Sequence, residues 1–189
     1  MIVKAEEKDA STVAALAAAL WPQHSPQEME QEFALLLGER EAAVFLKVEG
    51  DCAVGFAQCQ LRHDYVEGTD SSPVGYLEGI YVIPSCRHRG IAGVLLAACE
   101  RWAVKMGCTE FASDCELDNL ESLAFHKSAG FTEANRIICF TKNCRFETVV
   151  KRNRAGERNP CPVNCNLAGR YGNAPLGSPF GRAGSRQAD

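Results

Sequence analysis

Six consecutive residues, Arg87-His88-Arg89-Gly90-Ile91-Ala92, stand between an apolar run that ends at Pro84 and the clearest helical pattern in the chain. A glycine at the mouth of a helix lets a ligand come close to the backbone. The first-turn N–H groups have no partner inside the helix, and the helix dipole adds positive potential there. A pyrophosphate suits such a place, and Arg87 and Arg89 add charge. The plainer alternative is a basic helix start with a glycine turn. The spacing is neither a Walker loop, GxxxxGK[ST], nor a three-glycine dinucleotide fingerprint. Cys115 with His126, and Cys86 with His88, have the residue types of a nucleophilic dyad, but neither pair is read as one. Cys161 and Cys165 could begin a zinc site. Such a site needs four ligands, and only Cys144 lies near them, with no histidine in that region.

A phosphate loop needs a strand before it and a helix behind it. Gly75 to Ile83 reads as the strand, ended by Pro84. From Gly90 onward, Ile91, Leu95, Ala98, Trp102 and Met106 share one helical face until Gly107. Ile2 to Ala5 predicts a short first strand, and Val13, Leu16, Ala17 and Leu20 predict a first helix. Ser25-Pro26-Gln27-Glu28 is a capping box with proline at the first helical position. Met29, Phe33, Leu36 and Leu37 form the stripe of that second helix, and Gly38 ends it. Ala42 to Val48 and Cys52 to Leu61 predict a hairpin through Glu49-Gly50-Asp51. Residues 63–73 read as a loop, Thr109 to Ser113 as a strand, and Leu120 to Ser128 as a helix closed by Gly130. Arg136 to Lys142 predicts a last strand. The order βααβββαβαβ is that of a mixed α/β layer.

Composition narrows the class further. The 189 residues suit one domain, and 46% apolar with 23% charged residues is ordinary for a globular protein. The amino terminus has no basic stretch followed by an apolar one, and the longest apolar run, Val13 to Trp21, is far short of the ~20 residues of a membrane span. A cytoplasmic protein is expected, with its body cysteines reduced and packed as small apolar residues. Charge is unevenly placed. Residues 1–142 hold 12 Lys+Arg against 21 Asp+Glu, whereas residues 143–189 hold 8 against 3. An acidic body argues against a nucleic-acid ligand and fits a cationic small molecule, although acidity also simply aids solubility. The tail from 143 to 189 is basic and rich in Pro, Gly and Arg, and is expected to be disordered.

Arg87, Gly90 and Ala92 match the R/Q-x-x-G-x-G/A loop of the GNAT superfamily of N-acetyltransferases, and the element order resembles that fold. The resemblance implies an α/β GNAT fold: a mixed, mostly antiparallel central sheet, splayed at the acetyl-CoA strand, with flanking helices. It covers residues 1–142. Longer runs are similar to one branch, the aminoglycoside 6′-N-acetyltransferases. They are Arg62-His63-Asp64-Tyr65-Val66-Glu67-Gly68-Thr69, Ser71-Ser72-Pro73-Val74, Leu77-Glu78-Gly79-Ile80-Tyr81-Val82, Ala112-Ser113-Asp114, Leu20-Trp21-Pro22, Asp118-Asn119 and His126-Lys127-Ser128-Ala129-Gly130-Phe131.

The resemblance implies acetyl-CoA as acetyl donor, with no metal, and direct transfer in a ternary complex, so no cysteine nucleophile is required. The pyrophosphate falls to Arg87, His88, Arg89, Gly90, Ile91 and Ala92, and the pantetheine arm to Ile80, Tyr81, Val82 and Asn119. Gly79 is placed for a strand bulge. Trp21, Tyr65, Glu78 and Asp114 match contacts to a polycationic substrate, and Glu78 and Asp114 are the candidate catalytic carboxylates. Acyl transfer needs a neutral amine, while a free alkylamine has a pKa of roughly 10. Asn135 departs from the family, which often has an acidic residue there. Neither nucleic acid nor membrane is an expected partner, and the family allows a homodimer. Three alternatives stay open: a GNAT enzyme for another amine, such as a polyamine or a protein amino terminus; a non-catalytic CoA-binding module; and a basic tail that tethers the chain to nucleic acid or membrane.

Overall fold

Local signals set most element boundaries in the computed structural model, which describes residues 1–143. Strand β1 is Ile2–Lys4 and helix α1 is Ala10–Leu20, stopped where Trp21 precedes Pro22. Helix α2, Pro26–Leu36, starts on the expected box. Ser25 Oγ accepts from the Glu28 N–H at 3.2 Å, and Glu28 Oε2 accepts from the Ser25 N–H at 3.3 Å. Met29, Phe33 and Leu36 are its buried stripe. Strands β2, Ala42–Glu49, and β3, Cys52–Arg62, form the hairpin, and β4 is Val74–Val82. Helix α3, Ile91–Lys105, β5, Phe111–Ser113, and α4, Leu120–Ser128, complete the elements.

The sheet order is β1-β2-β3-β4-β5. The first three pairings are antiparallel, and β4 with β5 is parallel. Side chains alternate between two cores. One core, with Ala57, Cys59, Leu77 and Ile80, packs beneath α3. The other, with Val44, Leu46 and Phe56, packs beneath α1 and α2. Met29 and Phe33 of α2 are fully buried there, and burial of each contributes about 1.5–3 kcal/mol.

One expected element is absent. Residues 132–143 contain no strand, although Arg136 to Lys142 have the β pattern. A strand exists only through a hydrogen-bonded neighbour, which an apolar pattern does not supply. Ile138 and Phe140 are exposed. The expectation of a disordered tail, and the Cys161–Cys165 pair, fall outside the described residues. Among the described residues, no helix is long and apolar enough to cross a membrane.

Candidate active site

Strand β4 does two things along its length. Its first part, Gly75 to Leu77, pairs with Phe111 to Ser113 of β5. The pairing ends where Ser113 Oγ donates to the Leu77 carbonyl at 3.2 Å. Beyond Leu77, no strand among the described residues lies beside that edge of β4. On the other edge the Ile83 N–H bonds to the Val54 carbonyl of β3 at 3.0 Å. Alternation therefore turns the N–H groups of Val82 and Ile80 toward the open edge. An extended ligand can add there as a strand does.

At the junction sits a β-bulge. Gln58 of β3 pairs with Gly79 and Cys59 with Leu77, so Glu78 is the extra residue on β4. Leu77 and Ile80 consequently lie in the same core although three residues apart. Gly79 is needed here for space. A Cβ on it would come within 2.7 Å of the Trp21 ring. Trp21 is fully buried, edge-on to Phe56, so it is part of the α1 core and backs the bulge.

The Glu78 side chain is only 7% exposed, and Arg62 grips it. Arg62 Nε and Nη2 donate to Oε1 at 3.1 and 2.8 Å, and Nη2 donates to Oε2 at 3.0 Å. The guanidinium lies 3.3 Å from the centre of the Tyr76 ring. Asp114, just past β5, lies near the Tyr76 hydroxyl. Burial pushes the Glu78 carboxyl up from its ordinary value. Arg62 opposes that shift, Asp114 adds to it, and a Gln60 hydrogen bond opposes it. Burial, with Asp114 beside it, also raises the Tyr76 phenol. The two expected carboxylates are thus brought together by side chains that the sequence reading left out: Arg62, Tyr76 and Gln60. Alternation along β3 was the available signal, since residues 58, 60 and 62 share a face.

Tyr65 lies farther out in the loop after β3 and is exposed. Its hydroxyl donates to Glu67 Oε2 at 2.7 Å, while Asn135 Nδ2 donates to Glu67 Oε1 at 3.0 Å. Val66 between them packs with Tyr76 and Ala112, which ties this loop to the carboxylate cluster.

The loop before α3 has the expected geometry. Gly90 adopts φ 73° as the N-cap residue and offers no capping side chain, and His88 has φ 58°. Val82, Cys86, Arg87, His88, Gly90, Ile91 and Ala92 line a hollow at the helix start. The two arginines are engaged in the protein itself. Arg87 Nε donates to the Val82 carbonyl at 3.1 Å, and Arg89 forms a two-pronged pair with Glu49, both contacts 3.1 Å. Glu49 therefore offsets the charge of Arg89, while Arg87, bonded to a neutral carbonyl, adds its charge to that of the backbone N–H groups and the helix dipole. Asn119 caps α4, its Oδ1 accepting from the Ser122 N–H at 3.0 Å. The open β4 edge and the uncapped helix start together fit a ligand with an extended amide arm and a pyrophosphate.

Among the described residues, Cys115 and His126 are engaged with other partners. Burial raises the Cys115 thiol, which bonds Ser122. His126 is occupied by the Ser122 carbonyl at 2.7 Å and Ser113 Oγ at 3.0 Å, and burial lowers its pKa.

Comparison with known proteins agrees with this geometry. The model of the "Acetyltransferase (GNAT) family" matches residues 11–131. Aminoglycoside N(6′)-acetyltransferase type 1 of Salmonella typhimurium is 43% identical over 125 residues, 66% of this chain and 86% of that protein. Its namesake from Serratia marcescens is 39% identical over 143 residues, 75% of this chain and 98% of the relative. Among solved structures, AAC(6′)-Iy in complex with the bisubstrate analogue CoA-S-monomethyl-acetylneamine superposes with a TM-score of 0.73 at 39% identity, covering 76% of this chain and 98% of that one. An aminoglycoside antibiotic 6′-N-acetyltransferase from Acinetobacter haemolyticus gives a TM-score of 0.73 at 39% identity, covering 77% and 99%. The family model spans more than half of the chain and the curated relatives share about 40% identity with it, so the chain belongs to the GNAT acetyltransferases, in the aminoglycoside N(6′)-acetyltransferase family.

Proposed function

We propose that this protein transfers the acetyl group of acetyl-CoA to the 6′-amine of aminoglycosides, directly, within a ternary complex. The observation that carries the reading is the buried Glu78 carboxylate at the bulge, beside the edge of β4 that β5 leaves open. Acceptor and donor meet there. The name of the relatives and the neamine-bearing analogue bound by AAC(6′)-Iy support the same substrate class.

Glu78 and Asp114 attract the ammonium groups of a polycation. Burial gives Glu78 a higher proton affinity than an ordinary carboxylate, which suits it to take the proton from the 6′-ammonium. The neutral amine then attacks the thioester carbonyl. A C–N bond forms, the C–S bond breaks, and the thiolate takes up the proton that the attacking nitrogen sheds as it becomes the amide. The N–H of Ile80 or Val82 on the open edge is placed to polarise the carbonyl oxygen. Arg87, His88, Arg89, Gly90, Ile91 and Ala92 hold the pyrophosphate end. Ile80, Tyr81, Val82 and Asn119 line the pantetheine arm, and Tyr65 contacts the far rings of the acceptor, with Trp21 as the wall behind the bulge. The working domain is residues 1–142 and acts in the cytoplasm as a homodimer, an assembly that sedimentation tests.

Thiol release from acetyl-CoA across kanamycin, tobramycin, a 6′-hydroxyl aminoglycoside and a polyamine is the decisive assay, with NMR mapping of the product. Acetylation at the 6′-nitrogen, with no turnover of the 6′-hydroxyl compound, is expected. A hydroxyl there lacks both the nucleophile and the charge, and leaves a buried carboxylate without its partner. Acetylation of another amine, or faster turnover of the polyamine, would overturn the regiochemistry.

A further inference from the structure

We infer that Arg62 is the positioning residue of the acceptor site: it fixes the direction of the Glu78 carboxylate and keeps it ionised, with the Tyr76 ring as its platform. The inference rests on the reading of Glu78 as the proton acceptor.

Every group that faces Glu78 can be named. Arg62 and Gln60 come from β3, Tyr76 from β4, and Asp114 from the segment after β5, while Trp21, the residue after α1, stands behind Gly79. Arg62 is the single cation among these described groups. With Tyr76 neutral and both carboxylates ionised, the cluster has a net charge of minus one, which leaves room for one substrate ammonium. Without Arg62, two carboxylates would share a partly dry site, and the buried one would hold a proton. A protonated Glu78 can neither attract the ammonium nor accept its proton. Three N–H···O contacts from one planar fork also stop the carboxylate from rotating. Stacking on Tyr76 at 3.3 Å holds the fork in plane, and Asp114 lies near both Tyr76 and Glu78. A lysine would keep the charge and lose the fork.

The experiment compares the full chain with Arg62→Gln, Arg62→Lys and Glu78→Gln, using kanamycin and acetyl-CoA. It reads kcat and KM across pH, with unfolding transitions to confirm the fold. An ionised base loses activity as pH falls through its pKa, so removing a cation moves that acid limb upward. Arg62→Gln is expected to raise the limb of kcat/KM by about 1–3 pH units. Below the shifted limb, the rate should fall about tenfold per unit. Arg62→Lys should leave the limb near its original position and still lower kcat, because orientation is lost while charge is kept. The KM for acetyl-CoA should not change in either. An unmoved limb in Arg62→Gln overturns the inference. So does a wild-type kcat in Arg62→Lys, which decides the matter if the glutamine variant does not fold. Glu78→Gln separates the two failures. If it keeps full activity, the reading of Glu78 as base falls; if it loses the limb while Arg62→Gln does not move it, only the role of Arg62 falls.

Discussion

The donor and acceptor halves of the site are made of different material. The donor half is backbone: the open edge at Ile80 to Val82 and the start of α3 at Gly90. Its arginines face protein partners, the Val82 carbonyl and Glu49. The acceptor half is side chains, drawn from β3, β4 and the segment after β5, with those of β3 and β4 joined by contacts from 2.8 to 3.3 Å. Backbone sites depend on conformation and are indifferent to most side chains. Side-chain sites depend on charge and on each partner. A ligand that is the same in every turnover suits the first design, and a polycation recognised by its ammonium groups suits the second.

Substitutions can break that contrast. The largest effect is expected for Glu78→Gln, which keeps shape and removes charge. kcat should fall about 10²–10⁴-fold, the usual span for a general base, while acetyl-CoA affinity measured by calorimetry stays the same. A parallel loss of acetyl-CoA binding would mean that the halves are not separate. Next is Gly90→Val. A Cβ at Gly90 meets nothing within 4 Å, so the obstacle is the left-handed backbone at φ 73° rather than crowding. A β-branched residue there costs about 1–3 kcal/mol, enough to weaken acetyl-CoA binding roughly tenfold or more. Gly90→Asn, which tolerates that backbone, should recover part of the loss. Equal affinities for glycine and valine would remove the phosphate-loop role.

Asp114→Asn should act mainly on the acceptor. Losing one charged hydrogen-bonding partner predicts a rise in aminoglycoside KM of about tenfold, with a smaller change in kcat. A pure kcat effect would place Asp114 in the chemistry instead. The smallest effect is expected from ending the chain after Lys142. Both halves of the site lie before that point, so cooperative unfolding and kcat/KM should stay within about twofold, near the scatter of surface changes. Loss of cooperative unfolding would make the tail structural.

What could be read in the sequence follows the same division. The Ser25–Glu28 box, the glycine start of α3 and the bounds of α4 are short-range patterns, and all stand in the structure. Glu78 and Asp114 came through family resemblance, and the structure joins them through Tyr76 and Arg62. Arg62 itself was not legible. It is 16 residues from Glu78, and only the antiparallel register with its bulge brings them together. Trp21 looked like an open aromatic contact because its burial depends on Gly79, 58 positions later. The strand expected at Arg136 to Lys142 was misread for the same reason: pairing is a long-range property, and local pattern does not contain it.

The bulge at Glu78 acts as a phase shift in β4. Before it, one set of residues bonds to β5; after it, the alternation is offset by one, so that the carboxylate, the glycine under Trp21 and the free N–H groups of Ile80 and Val82 each point where they are needed. Removing Tyr76 or Leu77 would restore a regular pleat and turn the carboxylate toward the α3 core. This strand is therefore far less tolerant of changes in length than of changes in side chain, and insertions or deletions accepted in the loops before and after it would be fatal to function within it.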